Sequence, residues 1–362
     1  MPRQANAVDF WRGFALVSIF INHVPGIWYE RLTHRNVSIS DSAELFVFLA
    51  GWSLGLLVRA RPELVSAGRL VARLGARALT IYAAQILICS LALAILAATA
   101  YLLDNPLILE WNNAAAFFQD PAQTQIGLVL LTHQLGYFDI LPLYVVLMLA
   151  APGIALIDRF ARRALLPLSL GLYIAALAVP FTAPTWPVAG QWFFNPFTWQ
   201  LLFILGFALA REDGIGGFVR RHIRMLRAVS LPLVIIAGVV VAFSWMPDPV
   251  HLPEPKLFFL NGKSFLTPVR LLQFLALVAV FSKAYPIFAP RLPRLAEFLS
   301  ILGRNSLNVF CVGSLLSLIG QILRLLYTGS FAGDTIVAVV GIGLLWCTAW
   351  VSEWRDRQQT RA

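Results

Sequence analysis

Runs of about twenty apolar residues follow one another almost from end to end of this chain, each long enough to cross a hydrocarbon layer of about 30 Å as a helix. In that solvent every backbone N–H and C=O must be satisfied within the protein, which leaves helices or a closed barrel. The length of the runs selects helices. Little sequence remains for a soluble domain, since 59% of the 362 residues are apolar and 13% charged, against about 25% charged in soluble domains. The expected fold is all-α, a polytopic integral membrane protein with one domain over residues 1–362.

Hydropathy places ten spans near 8–28, 42–60, 78–102, 126–157 (membrane part near 137–157), 164–182, 194–210, 228–246, 265–285, 299–324 and 334–352. Charge then sets their direction. Arg59, Arg61, Arg69, Arg73 and Arg77 fill the second connection; Arg159, Arg162 and Arg163 the fourth; Arg211, Arg220, Arg221, Arg224 and Arg227 the sixth; Lys283, Arg291, Arg294 and Arg304 the eighth or its edge. The positive-inside rule assigns these loops, and with them both termini, to the cytoplasm. The basic tail, which includes Arg361, agrees. The third connection carries Asp104, Glu110 and Asp120 and the fifth no charge, as expected outside.

The net charge of +10 is thus topological and does not point to nucleic acid. Cys89, Cys311 and Cys347 lie singly in apolar stretches, without the paired spacing of disulfides or zinc sites, and read as small core residues. No small-x-small cleavage site follows the first span, so it reads as a retained helix. On the outer side, "ILEWNNAAAFFQDPAQ" reads as an amphipathic interfacial segment. The stretch "FTAPTWPVAGQWFFNPF" concentrates Trp186, Trp192, Phe193 and Phe194, either as an aromatic belt or as a stacking platform for a sugar ring.

Ionisable groups inside a span cost about 2.5–3.5 kcal/mol each on insertion scales, so they normally face the protein interior and mark a site. In "DFWRGFALVSIFINH" Arg12 and His23 are eleven residues apart, which is three helical turns plus about 20° and about 16 Å of rise. They share a face with Asp9. Histidine can serve as a general base near neutral pH; the alternative is a buried imidazole satisfied by its neighbours. Arg12 meets an anion or snorkels to the cytoplasmic surface.

These residues carry a resemblance. "RGFALVSIFINH" has the Arg-x10-His pattern of the acyltransferase-3 superfamily of membrane acyltransferases. "DSAELFVFLAGWSLG", with Gly51, resembles its second-helix segment; "ARLGARALTIYAAQ" its third-helix entry, with paired arginines before a tyrosine; "LGRNSLNVFCVGSLLS" its late Gly-x-x-Ser motif. Within the superfamily "SAELFVFLAG" and "NSLNVF" are most similar to the OpgC-type family, which is associated with succinylation of osmoregulated periplasmic glucans. In two places the chain departs from the superfamily: Arg73 and Arg77 are four apart where three is common, and Gly313 stands where a late histidine is common.

The resemblance implies an O-acyltransferase of the bacterial inner membrane that takes an acyl group from cytoplasmic acyl-CoA, succinyl-CoA in the OpgC case, and passes it without a metal to a hydroxyl of a periplasmic glucan. Arg12, Arg73, Arg77 and Tyr82 would then hold the CoA, arginine suiting phosphate by its planar fork, and His23 would be the base. Glu44 would orient His23, or else close a capping box with Asp41. Asp139, near Tyr144, lines the acceptor side or is structural. Asn305, Ser306 and Gln200 contact substrate or join helices, and Trp192 stacks on a sugar or belongs to the belt. Arg31, His34 and Arg35 receive an anionic group or form a solvated loop. Two competing classes stand beside the enzyme: a transporter or flippase, though no inverted repeat or matching pair of broken helices is visible, and a silent assembly partner.

Overall fold

The computed structural model describes residues 6–60, 67–245 and 247–359; Arg61 and Arg361 lie outside them. In chain order the helices are α1 (Ala7–Asn22), α2 (Ser42–Ala60), α3 (Ala67–Leu102), α4 (Ala115–Gln119), α5 (Pro121–Val129), α6 (Ile140–Phe160), α7 (Arg162–Ala178), α8 (Pro196–Leu209), α9 (Gly214–Arg221), α10 (Ile223–Ala242), α11 (Pro268–Phe281), α12 (Ala284–Arg291), α13 (Pro293–Arg304), α14 (Ser306–Leu326) and α15 (Phe331–Gln359). Among the described residues there is no strand, and the chain is all-α.

Six helices (α2, α3, α6, α10, α14 and α15) are long and apolar enough to cross a membrane, and α11 with α12 forms a bent pair at 49°. The remaining expected spans correspond to shorter helices: α1 with 16 residues, α7 with 17 and α8 with 14. The boundaries differ in several places. The first helix does not run to 28 but stops at Asn22, because Pro25 and Gly26 follow and Gly26 turns the chain at φ +77°. The stretch 126–157 is not continuous: α5 ends at Val129 and α6 begins at Ile140. The stretch 299–324 breaks at Asn305. The third helix starts at Ala67, so Arg69, Arg73 and Arg77 lie on a helix and not in a loop.

Local chemistry explains the starts. Asn6 accepts the N–H of Asp9 at 2.9 Å and donates to its carboxylate at 2.6 Å, closing α1's first turn. Asp120 and Asn195 cap α5 and α8, each with proline at the first helical position, where its missing N–H costs nothing.

The described chain gathers into two compact units. The first comprises Met1–Phe46, Leu226–Ser244 and Phe274–Ala362. Here α1 lies against α13, α14 and α12, and α15 packs on α13 and α14. Glycine permits the α1–α13 approach: a Cβ on Gly13 would fall 2.6 Å from the carbonyl carbon of Leu299, and one on Gly303 2.7 Å from that of Asp9. Arg304 ties α13 to α15 through Glu297 at 3.0 Å and Glu353 at 2.8 Å.

The second unit comprises Val47–Met225 and Trp245–Gln273. In it α3 packs on α6 and α7 on α8, and α2 meets α8 through Gly51 and Gly206, whose Cβ positions would lie 2.7 Å from the Phe203 and 3.0 Å from the Phe48 carbonyl carbon. At one end, buried Asp158 pairs with Arg211 at 2.7 Å and Arg162 at 3.5 Å, and Asp213 pairs with both arginines at 2.8 Å. The Arg211 hydrogen bond, aided by both positive charges, holds the Asp213 carboxyl down at about 2.

Candidate active site

In the first unit, the stripe anticipated on α1 begins with Asp9, which is buried, and the half-buried Arg12. His23 is not inside the helix. It is the C-cap, with its N–H bonded to the carbonyl of Ile19 at 3.0 Å, its ring half-buried and its own carbonyl accepting the Gln321 amide at 2.6 Å. The next buried polar side chain back, Asn22, accepts the Thr33 hydroxyl at 2.8 Å and so pins the connection that follows.

That connection forms two short 3-10 turns, Trp28–Leu32 and His34–Val37, before α2. His34 does not sit in a solvated loop: its ring is mostly enclosed, 5.6 Å from the ring of Phe14 on α1. Burial lowers its pKa from the ordinary histidine value, against the opposing charge and backbone bond of Asp41. Arg31 and Arg35 are exposed, and Arg35 pairs with Glu30 at 3.3 Å.

Glu44 is fully buried. Its carboxylate accepts the N–H of Asp41 at 3.0 Å, while Asp41 accepts the N–H of Ala43 at 2.8 Å. The capping reading of Asp41-x-x-Glu44 is therefore present in the fold, and any orienting role for Glu44 would be added to it. Asn305 caps the end of α13, its amide donating to the carbonyl of Ile301 at 3.0 Å, which places it at the junction with α14. Ser306 begins α14. The helix-joining amide is Asn308, bonded to Ser352 at 2.9 Å.

In the second unit, Arg73 and Arg77 follow one another by a turn along α3 and are exposed, with Tyr144 of α6 within electrostatic reach of Arg77. Tyr82 is engaged elsewhere, its hydroxyl donating to the carbonyl of Val129 at 2.9 Å. Gln200 joins α7 to α8: it accepts the Ser169 hydroxyl at 2.7 Å and donates to the Ser169 carbonyl at 2.9 Å and the Phe197 carbonyl at 3.2 Å. Its amide is thereby used in packing. Trp192 does not present a face for stacking; it is 6% exposed, with its indole N–H on the carbonyl of Pro184 at 3.1 Å. The exposed rings of that segment are Phe181, Trp186 and Phe193. Asp139 precedes α6 without capping it, and Lys263 exerts a direct charge interaction on it. Lys263 also lies over the rings of Phe193 and Phe194 at 5.6 and 5.4 Å.

The fold also brings forward groups that hydropathy had absorbed into apolar runs. Arg270 and Gln273 are buried at 7% and 6% exposure, one turn apart on α11, and Gln85 is buried on α3. The rule that singled out His23, an ionisable group within an apolar run, applies equally to Arg270 in "TPVRLLQFLALV". His133, in the connection before α6, is buried and its pKa is lowered by that burial.

A family model described as OpgC protein matches residues 3–357, nearly the whole chain. No curated protein and no solved structure matched it. The sequence motifs from Arg12 to the late "NSLNVF" lie within that match, and the chain belongs to the OpgC family.

Proposed function

We propose that this protein moves an acyl group, succinyl by family resemblance, from cytoplasmic acyl-CoA to a hydroxyl of a periplasmic glucan. Family membership gives the coarser statement, a membrane transferase of acyltransferase type acting on glucans. The observation that carries the finer reading is the intact Arg-x10-His pair, Arg12 and His23, on α1 and its cap within a family match over nearly the full chain. In this reading the inner membrane is crossed ten times with both termini in the cytoplasm, the short α1, α7 and α8 and the bent α11–α12 pair supplying the crossings beyond the six long helices.

The chemistry balances without a metal. His23 takes the proton of the acceptor hydroxyl as its oxygen attacks the thioester carbonyl; the C–S bond breaks, and the imidazolium returns the proton to the leaving CoA sulfur. General-base help of this kind contributes about 10²–10⁴-fold. Arg12 pairs with a CoA phosphate and Glu44 supports the charge on His23; Arg73 and Arg77, on the exposed face of α3, are further cations suited to phosphate. Asp139, under the charge of Lys263, serves the acceptor; Ser306 donates to the thioester oxygen. Gln200, Tyr82, Asn305 and Trp192 act through packing.

The test uses purified protein in detergent with labelled succinyl-CoA and a linear β-glucan. Ester formation is expected in the wild type and its loss in His23→Ala, with the melting midpoint retained. Succinyl-CoA that neither binds nor reacts, with glucan crossing a vesicle unmodified, would favour a transporter and overturn the proposal.

A further inference from the structure

We infer that Gln321 and Arg324 of α14 are positioning residues for His23, holding the turn that carries it by that turn's own carbonyl oxygens. The inference rests on His23 being the base proposed above. A helix end leaves its last carbonyls without intrahelical donors, and α1 ends at Asn22. The carbonyls of Ile19 and Ile21 take the His23 and Val24 N–H groups at 3.0 and 3.1 Å, and further donors come from α14. Ser317 donates to the carbonyl of Phe20 at 3.0 Å, Gln321 to that of His23 at 2.6 Å, and Arg324 to those of Pro25 at 3.2 Å and Gly26 at 2.6 Å. Residues 317, 321 and 324 follow one another by four and three, so they form one face of α14.

Arg324 is itself aimed. Asp334 of α15 is buried and accepts Arg324 Nε at 3.2 Å, the Tyr327 hydroxyl at 2.8 Å and the backbone N–H of Trp28 at 2.7 Å. Gly26 suits the turn because its φ is +77°, and a Cβ there would press on Arg324 Nη1 at 2.9 Å. Between these anchors Val24 and Ile27 are buried against Val337 and Ala338. The backbone is therefore tied at Phe20, at His23 and at Pro25 and Gly26, which fixes the point from which the imidazole projects. For a base that must meet a hydroxyl proton at hydrogen-bond distance, a displacement of about 1 Å can cost about 10²-fold in rate. An interhelical hydrogen bond in a membrane protein contributes only modestly to stability. A purely structural role and a positioning role thus predict different readouts.

The experiment compares wild type, Gln321→Met, His23→Ala and the double variant, full length, with succinyl-CoA and β-glucan. Gln321→Met keeps length and apolarity and removes the donor. The expected result is a kcat lowered about 10–100-fold, KM for both substrates within about twofold, a melting midpoint close to wild type, and no further loss when Gln321→Met is added to His23→Ala. If Gln321→Met does not fold, Arg324→Lys, which keeps the charge for Asp334 and loses the fork, is expected to lower kcat with unchanged KM. Unaltered kcat in Gln321→Met beside a His23→Ala reduced to residual turnover, or an additive loss from that residual turnover in the double variant, overturns the inference alone. Full activity in His23→Ala overturns the assignment of His23 and the inference with it.

Discussion

Replacing Gly13 by alanine probes the contact between α1 and α13, on which the placement of α1 depends. The new Cβ would lie 2.6 Å from the carbonyl carbon and 3.0 Å from the Cα of Leu299, where carbon atoms rest at about 3.5–4.0 Å. The helices must then part by about 1 Å, because both neighbours are backbone and nothing can rotate away. Parting also opens the second point of the same seam, where the Cβ position of Gly303 is 2.9 Å from the nitrogen of Gly13. Overpacking of this kind costs about 1–3 kcal/mol, and a backbone-on-backbone clash belongs at the upper end. Alanine also improves helix propensity by about 1 kcal/mol, which would mask part of the effect. Gly75→Ala is the control: it has the same propensity gain on a helix, and its Cβ meets nothing within 4 Å. The difference between the two variants therefore isolates the steric term. Melting midpoints of the detergent-solubilised variants, followed by fluorescence-detected size exclusion, should show Gly13→Ala clearly below Gly75→Ala. Equal midpoints would refute the close approach of α1 and α13.

Glu44→Gln separates the two roles of that residue. The glutamine oxygen can still accept the Asp41 N–H, so the melting midpoint should stay near wild type, while loss of the charge proposed to support His23 should lower kcat about 10²-fold; wild-type turnover would leave Glu44 as a cap alone. Asp213 carries a pH signature. Its carboxyl is held at about 2, below the ordinary 3.8, so its ion pairs with Arg211 and Arg162 contribute fully above about pH 4 and are lost as pH falls toward 2. The contribution is small because the group is exposed. The midpoint difference between wild type and Asp213→Asn should shrink over that interval, and a difference that widened on acidification would contradict the pairing.

Several parts of the candidate site were legible along the chain and several were not. Arg12 and His23 stood out because an ionisable group in an apolar run is conspicuous without any knowledge of partners, and Asp41-x-x-Glu44 because a capping box is closed within one turn. Gln200 and Tyr82 could not be resolved in the same way. Their partners, Ser169 and Val129, are 31 and 47 residues away in sequence, and only those partners decide whether the polar group is used in packing or left for a substrate. Trp192 shows the same limit: in "GQWFFNPF" it and its neighbour Phe193 look alike, yet the first is buried and the second exposed. Arg270 was hidden by the hydropathy of its own helix.

By itself the sequence determined the all-α membrane class, the family and the direction expected of each connection, since apolar run length, motif spacing and arginine placement are local quantities that need no partner. The tertiary structure decided where α1 stops, that His23 is a cap and not an interior helix residue, and that its carbonyl is held by Gln321 from 298 positions away. The physical reason is that a helix end leaves carbonyls without donors, and which distant side chain supplies them is settled only when the helices pack.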